Sequence, residues 1–273
     1  LVDIYGIDHG IYEDSPGNQP IPGKELYLTI DSKLQSYIEK LFSKKKGVVI
    51  CMHPVTGEIL AYISAPDYDL NSFAGPVPVD LWDGWNADPE RPLLNRGIQG
   101  LYPPGSTFKL IAAALAMEKN AVGNDWTVNC NGVYHFGDRN FHCWNIKGHG
   151  EVNLDKAIYQ SCNIYFYHLI QKLSFSDWKE LAEKFGFGYT TGVDLYGEQT
   201  GNIPGKTYLN NKYGKYGWAL GNLLTFIIGQ GDVLVTPIQI VQMMNIIATR
   251  GNTKSPHLNL GNPSGNVNLL LKS

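Results

Sequence analysis

Charge is scarce in this chain: only 17% of its 273 residues are Asp, Glu, Lys or Arg, against 43% hydrophobic and 12% aromatic. That balance excludes an intrinsically disordered polypeptide, which needs low hydrophobicity and high net charge. Dense basic runs are missing. With a formal charge of -3, and Lys44-Lys45-Lys46 as the one tight triplet, read as a solvated helix end, the composition argues against a nucleic-acid partner. Long apolar runs are missing too, since the longest, Leu110 to Met117, falls far short of the ~20 residues of a membrane span. Four cysteines are too few for a disulfide scaffold. There is no internal repeat, no low-complexity tract, no initiator Met and no charged, apolar leader. The chain therefore reads as a piece of a longer protein whose targeting segment lies upstream.

What is present divides into a connector and a folded body. Asp14, Ser15, Pro16, Gly17, Pro20, Pro22 and Gly23 give residues 1–24 the composition of an extended linker from an upstream domain, and residues 25–273 read as one domain. Leu26 to Ile30 alternates as a strand, and Asp31 is a fair N-cap for a helix through Leu34, Ile38 and Leu41. Gly47 to Met52 and Ile59 to Ser64 read as a hairpin around Pro54, Thr56 and Gly57, with Cys51 a small hydrophobe in a buried strand. Residues 67–101 look like a long loop carrying Trp82 and Trp85. A buried, nearly all-apolar helix is expected over Ser106 to Asn120. Further helices are expected over Leu154 to Tyr159, Asn163 to Leu173, Phe175 to Phe185 and Pro237 to Arg250. Strands first and a helical body after them give an α+β class, an antiparallel sheet with helices packed on it.

Ser106-Thr107-Phe108-Lys109 is the first group that points to chemistry. A hydroxyl needs a base within hydrogen-bond reach to become a nucleophile, and three residues along a helix place the Lys109 amine beside Ser106. Burial favours the neutral amine, as a general base requires, and a helix N-terminus favours a developing oxyanion. Ser43 with Lys46 and Ser176 with Lys179 share the spacing, so the pattern alone is weak. Further on, Ser161-Cys162-Asn163 lies at a break between two helices. It offers a second hydroxyl and an amide on one edge while Cys162 points the other way.

Tyr102-Pro-Pro-Gly-Ser-Thr-Phe-Lys109 together with Ser161-Cys162-Asn163 resembles the motif pair of penicillin-binding proteins and related β-lactamases. The resemblance extends through Arg91-Pro-Leu-Leu-Asn-Arg96, Gly148-His-Gly150, Tyr159 to Tyr167, Phe185-Gly-Phe-Gly188, Thr191-Gly-Val-Asp-Leu195, Ile228-Gly-Gln-Gly231 and Val235-Thr-Pro-Ile-Gln239. From about Lys24 to Arg250 the chain is similar to the transpeptidase domain of monofunctional (class B), elongation-class members. The resemblance implies the penicillin-binding/β-lactamase-like fold with an all-helical subdomain, and a peptidoglycan D,D-transpeptidase inhibited by β-lactam antibiotics. It assigns Ser106 as nucleophile, Lys109 as base, and Ser161 and Asn163 as the rest of the site, with no catalytic cofactor. It implies stem peptides as substrates, a membrane glycan polymerase and the elongation machinery as partners, an N-terminal membrane anchor, and work on the outer face of the cytoplasmic membrane. A serine β-lactamase and a non-catalytic β-lactam sensor or scaffold are the alternatives. The family's third motif, Lys-Ser/Thr-Gly, is not found, because Lys206-Thr207 is followed by Tyr208 and Lys254-Ser255 by Pro256. The resemblance implies that its strand lies downstream of Ser273 and that residues 1–273 alone react slowly or not at all with penicillin. Gly261 to Ser273 resembles nothing in the family.

Cys130, Cys143, His149 and Cys162 form a second constellation. A hairpin over Val128 to Trp144, turning at Gly137-Asp138, is expected to bring Cys130 and Cys143 together. His149 sits in a Gly-His-Gly turn. Three thiolates and an imidazole satisfy tetrahedral zinc, while a Cys130 to Cys143 disulfide or unrelated thiols are the other readings. Elongation-class relatives with acidic residues at the positions of Cys130 and Cys143 favour a metal, since a ligand set permits acid-for-thiol exchange and a disulfide does not. His135 and His142 read as surface residues.

Overall fold

The computed structural model describes residues 4–10, 23–123, 125–261 and 266–268. The expected connector over 1–24 and the tail after Gly261 lie mostly outside these residues. Helix α1 (Ser32–Phe42) starts where Asp31 accepts hydrogen bonds from the Lys33 and Leu34 amides at 2.9 and 3.0 Å, the N-cap its sequence promised. It lies against an antiparallel hairpin of β1 (Gly47–Met52) and β2 (Ile59–Ala65). The period-2 alternation of β2 buries Ile59, Ala61 and Ile63 on one face, whereas β1 is half-buried along its length, Cys51 included, not fully buried as its apolar run suggested. Leu26 to Ile30 is not a full strand. It makes one bridge, Leu28 to Asn259, flanked by the Thr29 N–H to Leu258 and Leu260 N–H to Tyr27 bonds.

The presumed loop over 67–101 carries a 3₁₀ turn at Leu70–Phe73 and helix α2 (Val79–Ala87), in which no residue is buried. With Gly84 at its centre and no apolar stripe to bury, α2 has little helical signature. Arg96 ties this segment to the end of β2: the residue is 3% exposed, and its guanidinium donates to the carbonyls of Glu90, Arg91 and Pro66, the residue that follows β2.

The helical body begins with α3 (Lys109–Glu118), whose Ile111, Ala112, Leu115 and Ala116 are buried. Two strand pairs follow: β3 (Val128–Cys130) pairs with β6 (Gly150–Val152), and β4 (Val133–Phe136) with β5 (Arg139–His142). Helices α4 (Leu154–Tyr159), α5 (Asn163–Leu169), α6 (Phe175–Lys184) and α9 (Pro237–Ala248) occupy the expected stretches. Thr236 and Gln239 form a reciprocal capping box at the start of α9, and Pro237 is its first residue. Helices α7 (Lys206–Tyr213) and α8 (Leu220–Ile227) were not anticipated. The first is mostly polar, with Leu209 its buried residue, and the second contains Gly221.

The last pair joins β7 (Asn252–Lys254) to β8 (Asn266–Asn268), so every strand pair among the described residues is antiparallel. Apolar side chains there gather in a large cluster within the helical body and a small one, Ile59, Ile98, Val193 and Ile238, between the hairpin and α9. No described helix is long and apolar enough to cross a membrane.

Candidate active site and the adjoining cysteine cluster

Gly105–Phe108 forms a single 3₁₀ turn that runs into α3, so Ser106 sits on the turn and Lys109 is the first helical residue. Phe108 anchors the turn. Its fully buried ring meets Trp178 and Phe187 edge-on, with centroids 5.6 and 5.0 Å away, while Ser106 stays exposed. The turn is also held by chain from far downstream. Tyr102 and Val235 exchange two backbone bonds of 2.9 Å, and the Gly105 N–H donates to Gly229 O at 2.9 Å. Gly229 has φ +68°, and a β-carbon there would lie 2.2 Å from Gly105 O, so only glycine can back the turn this closely.

Lys109 is 2% exposed. Its Nζ donates to Asn163 Oδ1 at 2.6 Å, Ser161 O at 2.8 Å and Ser161 Oγ at 3.0 Å, and these three bonds go to the second motif and none to Ser106. Burial pushes the amine down to about 8, with the negative charge of Cys143 and Cys162 acting in the opposite sense. Ser161 and Asn163 lie at the expected break between α4 and α5, where Ser161 takes the left-handed conformation, φ +53°. Asn163 Nδ2 also donates to His142 O at 3.2 Å. The other two Ser/Lys pairs are differently placed. Ser43 caps the end of α1 and Lys46 pairs with Glu90, while Lys179 on α6 pairs with Glu183.

On the opposite side of the same tripeptide, Cys162 is fully buried beside Cys130, Cys143 and His149. The ligand atoms of these four residues all lie within 4.8 Å of one another, a group that could hold a metal ion. Both Cys130 Sγ and Cys143 Sγ are 3.5 Å from His149 Nδ1. All four cysteines of the chain are unbridged. A hydrogen bond from Cys162 holds the Cys143 thiol down to about 4 against the opposing effect of burial, helped by the amides of Asn163, Asn145 and Ile164; the same bond and burial push Cys162 up. Three crowded sulfurs can share little negative charge unless a cation joins them.

The expected hairpin does turn at Gly137, φ +59°, but it spans β4 and β5 only. Cys130 belongs to β3 and pairs with Gly150, and Cys143 follows β5 and donates its N–H to Gly132 O. They meet because they flank the hairpin, and His149 is brought in by its N–H to Cys130 O bond of 3.0 Å. His135 and His142 are exposed. Lys206-Thr207 opens α7 and Lys254 ends β7, so neither pair stands in for a third motif. The backing role of Gly229 and the anchoring role of Arg96 escaped the residue-type reading, because a glycine and a buried arginine show their function only through non-local contacts.

Comparison with known proteins gives a family and a set of relatives. Residues 47–261 match the family described as "Penicillin binding protein transpeptidase domain". The peptidoglycan D,D-transpeptidase MrdA of Escherichia coli K12 is 34% identical over 241 residues, which cover 88% of this chain and 38% of that protein. The chain thus spans well under half the length of that relative. Among solved structures, the penicillin-binding protein (PBP2) from Helicobacter pylori superposes with a TM-score of 0.85 at 34% identity, covering 89% of this chain and 46% of the other. Pseudomonas aeruginosa PBP2 in complex with WCK 5153 gives 0.85 at 34% identity, with 93% and 60% covered.

Proposed function

The chain belongs to the penicillin-binding protein transpeptidase family, and from that premise we propose that it is the catalytic domain of an elongation-class peptidoglycan D,D-transpeptidase. The observation that carries the reading is the buried Lys109 amine, one helical turn from Ser106 and bonded to both Ser161 and Asn163. Ser106 Oγ attacks the carbonyl carbon of the penultimate D-Ala of a stem peptide and its proton passes to Lys109. The peptide bond breaks, and the terminal D-Ala leaves as an amine that takes up a proton delivered through Ser161 and Lys109. An amine of a neighbouring stem then attacks the Ser106 ester, forming the cross-link and returning a proton to Ser106. Asn163 orients Lys109 and the donor strand. A β-lactam enters the same cycle and stops at the ester.

Incubation of the full-length protein with a penicillin should give a single acyl adduct by intact mass, absent in Ser106→Ala. An adduct that survives this substitution overturns the assignment. A persistent ester separates the transpeptidase from a β-lactamase, and cross-linking of stem peptides separates it from a sensor.

The Cys130, Cys143, His149 and Cys162 group is proposed as a structural zinc site. With metal–sulfur bonds of about 2.3 Å and metal–nitrogen bonds of about 2.0–2.1 Å, a tetrahedral ion separates its sulfur and nitrogen ligands by about 3.5 Å. The two Sγ to Nδ1 separations of 3.5 Å support that fit. Zinc bound there would supply cross-linking and charge neutralisation, not catalysis.

Partners and location are proposed from what is known of relatives. A Helicobacter pylori PBP2 has been solved in complex with MreC, and a further neighbour, 30% identical, is described as a peptidoglycan synthase complex coordinating polymerization and crosslinking. They support a membrane glycan polymerase and elongation machinery as partners. Anchoring in the cytoplasmic membrane and work on its outer face belong to the same proposal and rest on the transpeptidase reading. Co-purification of the full-length protein with such a polymerase from detergent-solubilised membranes tests this, and its absence from the membrane fraction would overturn it.

A further inference from the structure

Trp144 is 64% exposed, yet it is fixed at two points. Its indole N–H donates to Gln160 O at 2.9 Å, and its ring lies 5.3 Å from the His149 ring at 60°. Gln160 is the C-cap of α4, where helix carbonyls lose their intrahelical donors. The next residue, Ser161, holds φ +53°, a sparsely populated conformation for a residue with a β-carbon. The peptide unit is planar, so the plane that carries Gln160 O also carries Ser161 N and Cα. Ser161 N–H donates to Ile158 O at 3.1 Å from one edge of this plane. Pinning Gln160 O at the opposite edge sets the direction in which Ser161 leaves it, and with it the two oxygens that receive Lys109 Nζ.

We propose that Trp144 is a positioning residue for the catalytic loop, a clamp that holds the peptide ahead of Ser161 and braces it on His149. The inference rests on the transpeptidase reading above for its catalytic consequence, though not for its mechanical one. It gives the loop a second tie to the cysteine cluster, running outside the fold and independent of Cys162.

The test uses Trp144→Phe, which keeps an aromatic ring against His149 and removes the N–H, alongside Trp144→Ala, both in the full-length protein. Acylation by a chromogenic β-lactam is followed to saturation, giving a limiting rate and a half-saturating concentration. Trp144→Phe should lower the limiting rate roughly 3- to 10-fold, as expected for one lost positioning hydrogen bond, and leave half-saturation, Tm and bound metal unchanged. Trp144→Ala should lower the rate further. Hydrogen exchange over residues 157–163 reads the clamp without any reaction and should speed up several-fold in Trp144→Phe.

An unchanged limiting rate with unchanged exchange overturns the proposal. A raised half-saturating concentration alone would make Trp144 a ligand contact, and parallel loss of metal, Tm and rate would make it ordinary packing; either result also overturns it. Should the parent protein form no adduct on Ser106, the transpeptidase reading fails while the exchange measurement still decides the clamp. If Trp144→Ala does not fold, Trp144→Phe decides alone.

Discussion

Ser161 and Asn163 present oxygen atoms to one buried ammonium, whereas Cys162 between them presents sulfur to two thiols and an imidazole. The oxygen side is a set of directional hydrogen bonds around a cation that, in its proposed role as base, would have to lose its proton. The sulfur side is a set of three cysteine sulfurs and an imidazole that converge on a point. Neither side could serve in place of the other. Because one tripeptide joins them, the metal proposed for the sulfur side would also fix the placement of the oxygen side, where a misplacement of about 1 Å costs catalytic groups much of their value.

The sharpest way to separate the two sides is by size of effect. Lys109→Ala removes the cation and should slow acylation of Ser106 by about 10²- to 10⁴-fold, with metal content intact; metal lost in this variant would show that the two sides are not separable. Cys162→Ser should come next. It should reduce bound zinc, lower Tm by roughly 5 °C or more and blunt acylation at the same time, although residue 162 makes no hydrogen bond to Lys109. Reductant sensitivity with chelator indifference would instead identify a disulfide.

The pH response is smaller and belongs to the oxygen side alone. With the Lys109 amine at about 8, its neutral fraction, and hence the acylation rate, should rise roughly tenfold between pH 7 and 9 and then level off. A flat profile over that range would remove Lys109 as the base. The linked stability change has a definite sign. The ordinary value is 10.5, so between about 8 and 10.5 the unfolded chain binds the extra proton, and this group's contribution to stability rises with pH across that window. Smallest of all should be His135→Ala and His142→Ala, which leave metal content and acylation unchanged because both rings are exposed.

Much of this site was legible in the sequence because its parts are local. Ser106 and Lys109 share one turn, and Ser161, Cys162 and Asn163 are consecutive at a helix break, so spacing and residue type offer them as candidates, and the resemblance to penicillin-binding proteins singles them out from Ser43 with Lys46 and Ser176 with Lys179. The α4, α5, α6 and α9 stretches were legible for the same reason, as apolar periodicity bounded by caps. Helices α2, α7 and α8 were not, since they have a glycine, a polar face or few buried positions and are fixed by their neighbours. The route by which Cys130 reaches Cys143 was misread because β3 pairs with β6 across an intervening hairpin. A non-local pairing of that kind leaves no trace in spacing. Gly229 and Trp144 were overlooked because what matters about each is the distant backbone it touches.

The contact between Gly105 and Gly229 bears on when the protein becomes reactive. The backing for the Ser106 turn comes from a segment far along the chain, just past α8. Local helix formation can place Lys109 a turn from Ser106 early, but it cannot supply this support, and contacts of long sequence separation form late. On the proposed reading, a chain still being made, or one partly unfolded, would carry Ser106, Lys109, Ser161 and Asn163 and remain inert toward β-lactams. On that reading, covalent labelling of Ser106 would double as a census of finished molecules, counting those in which Gly105 and Gly229 have met.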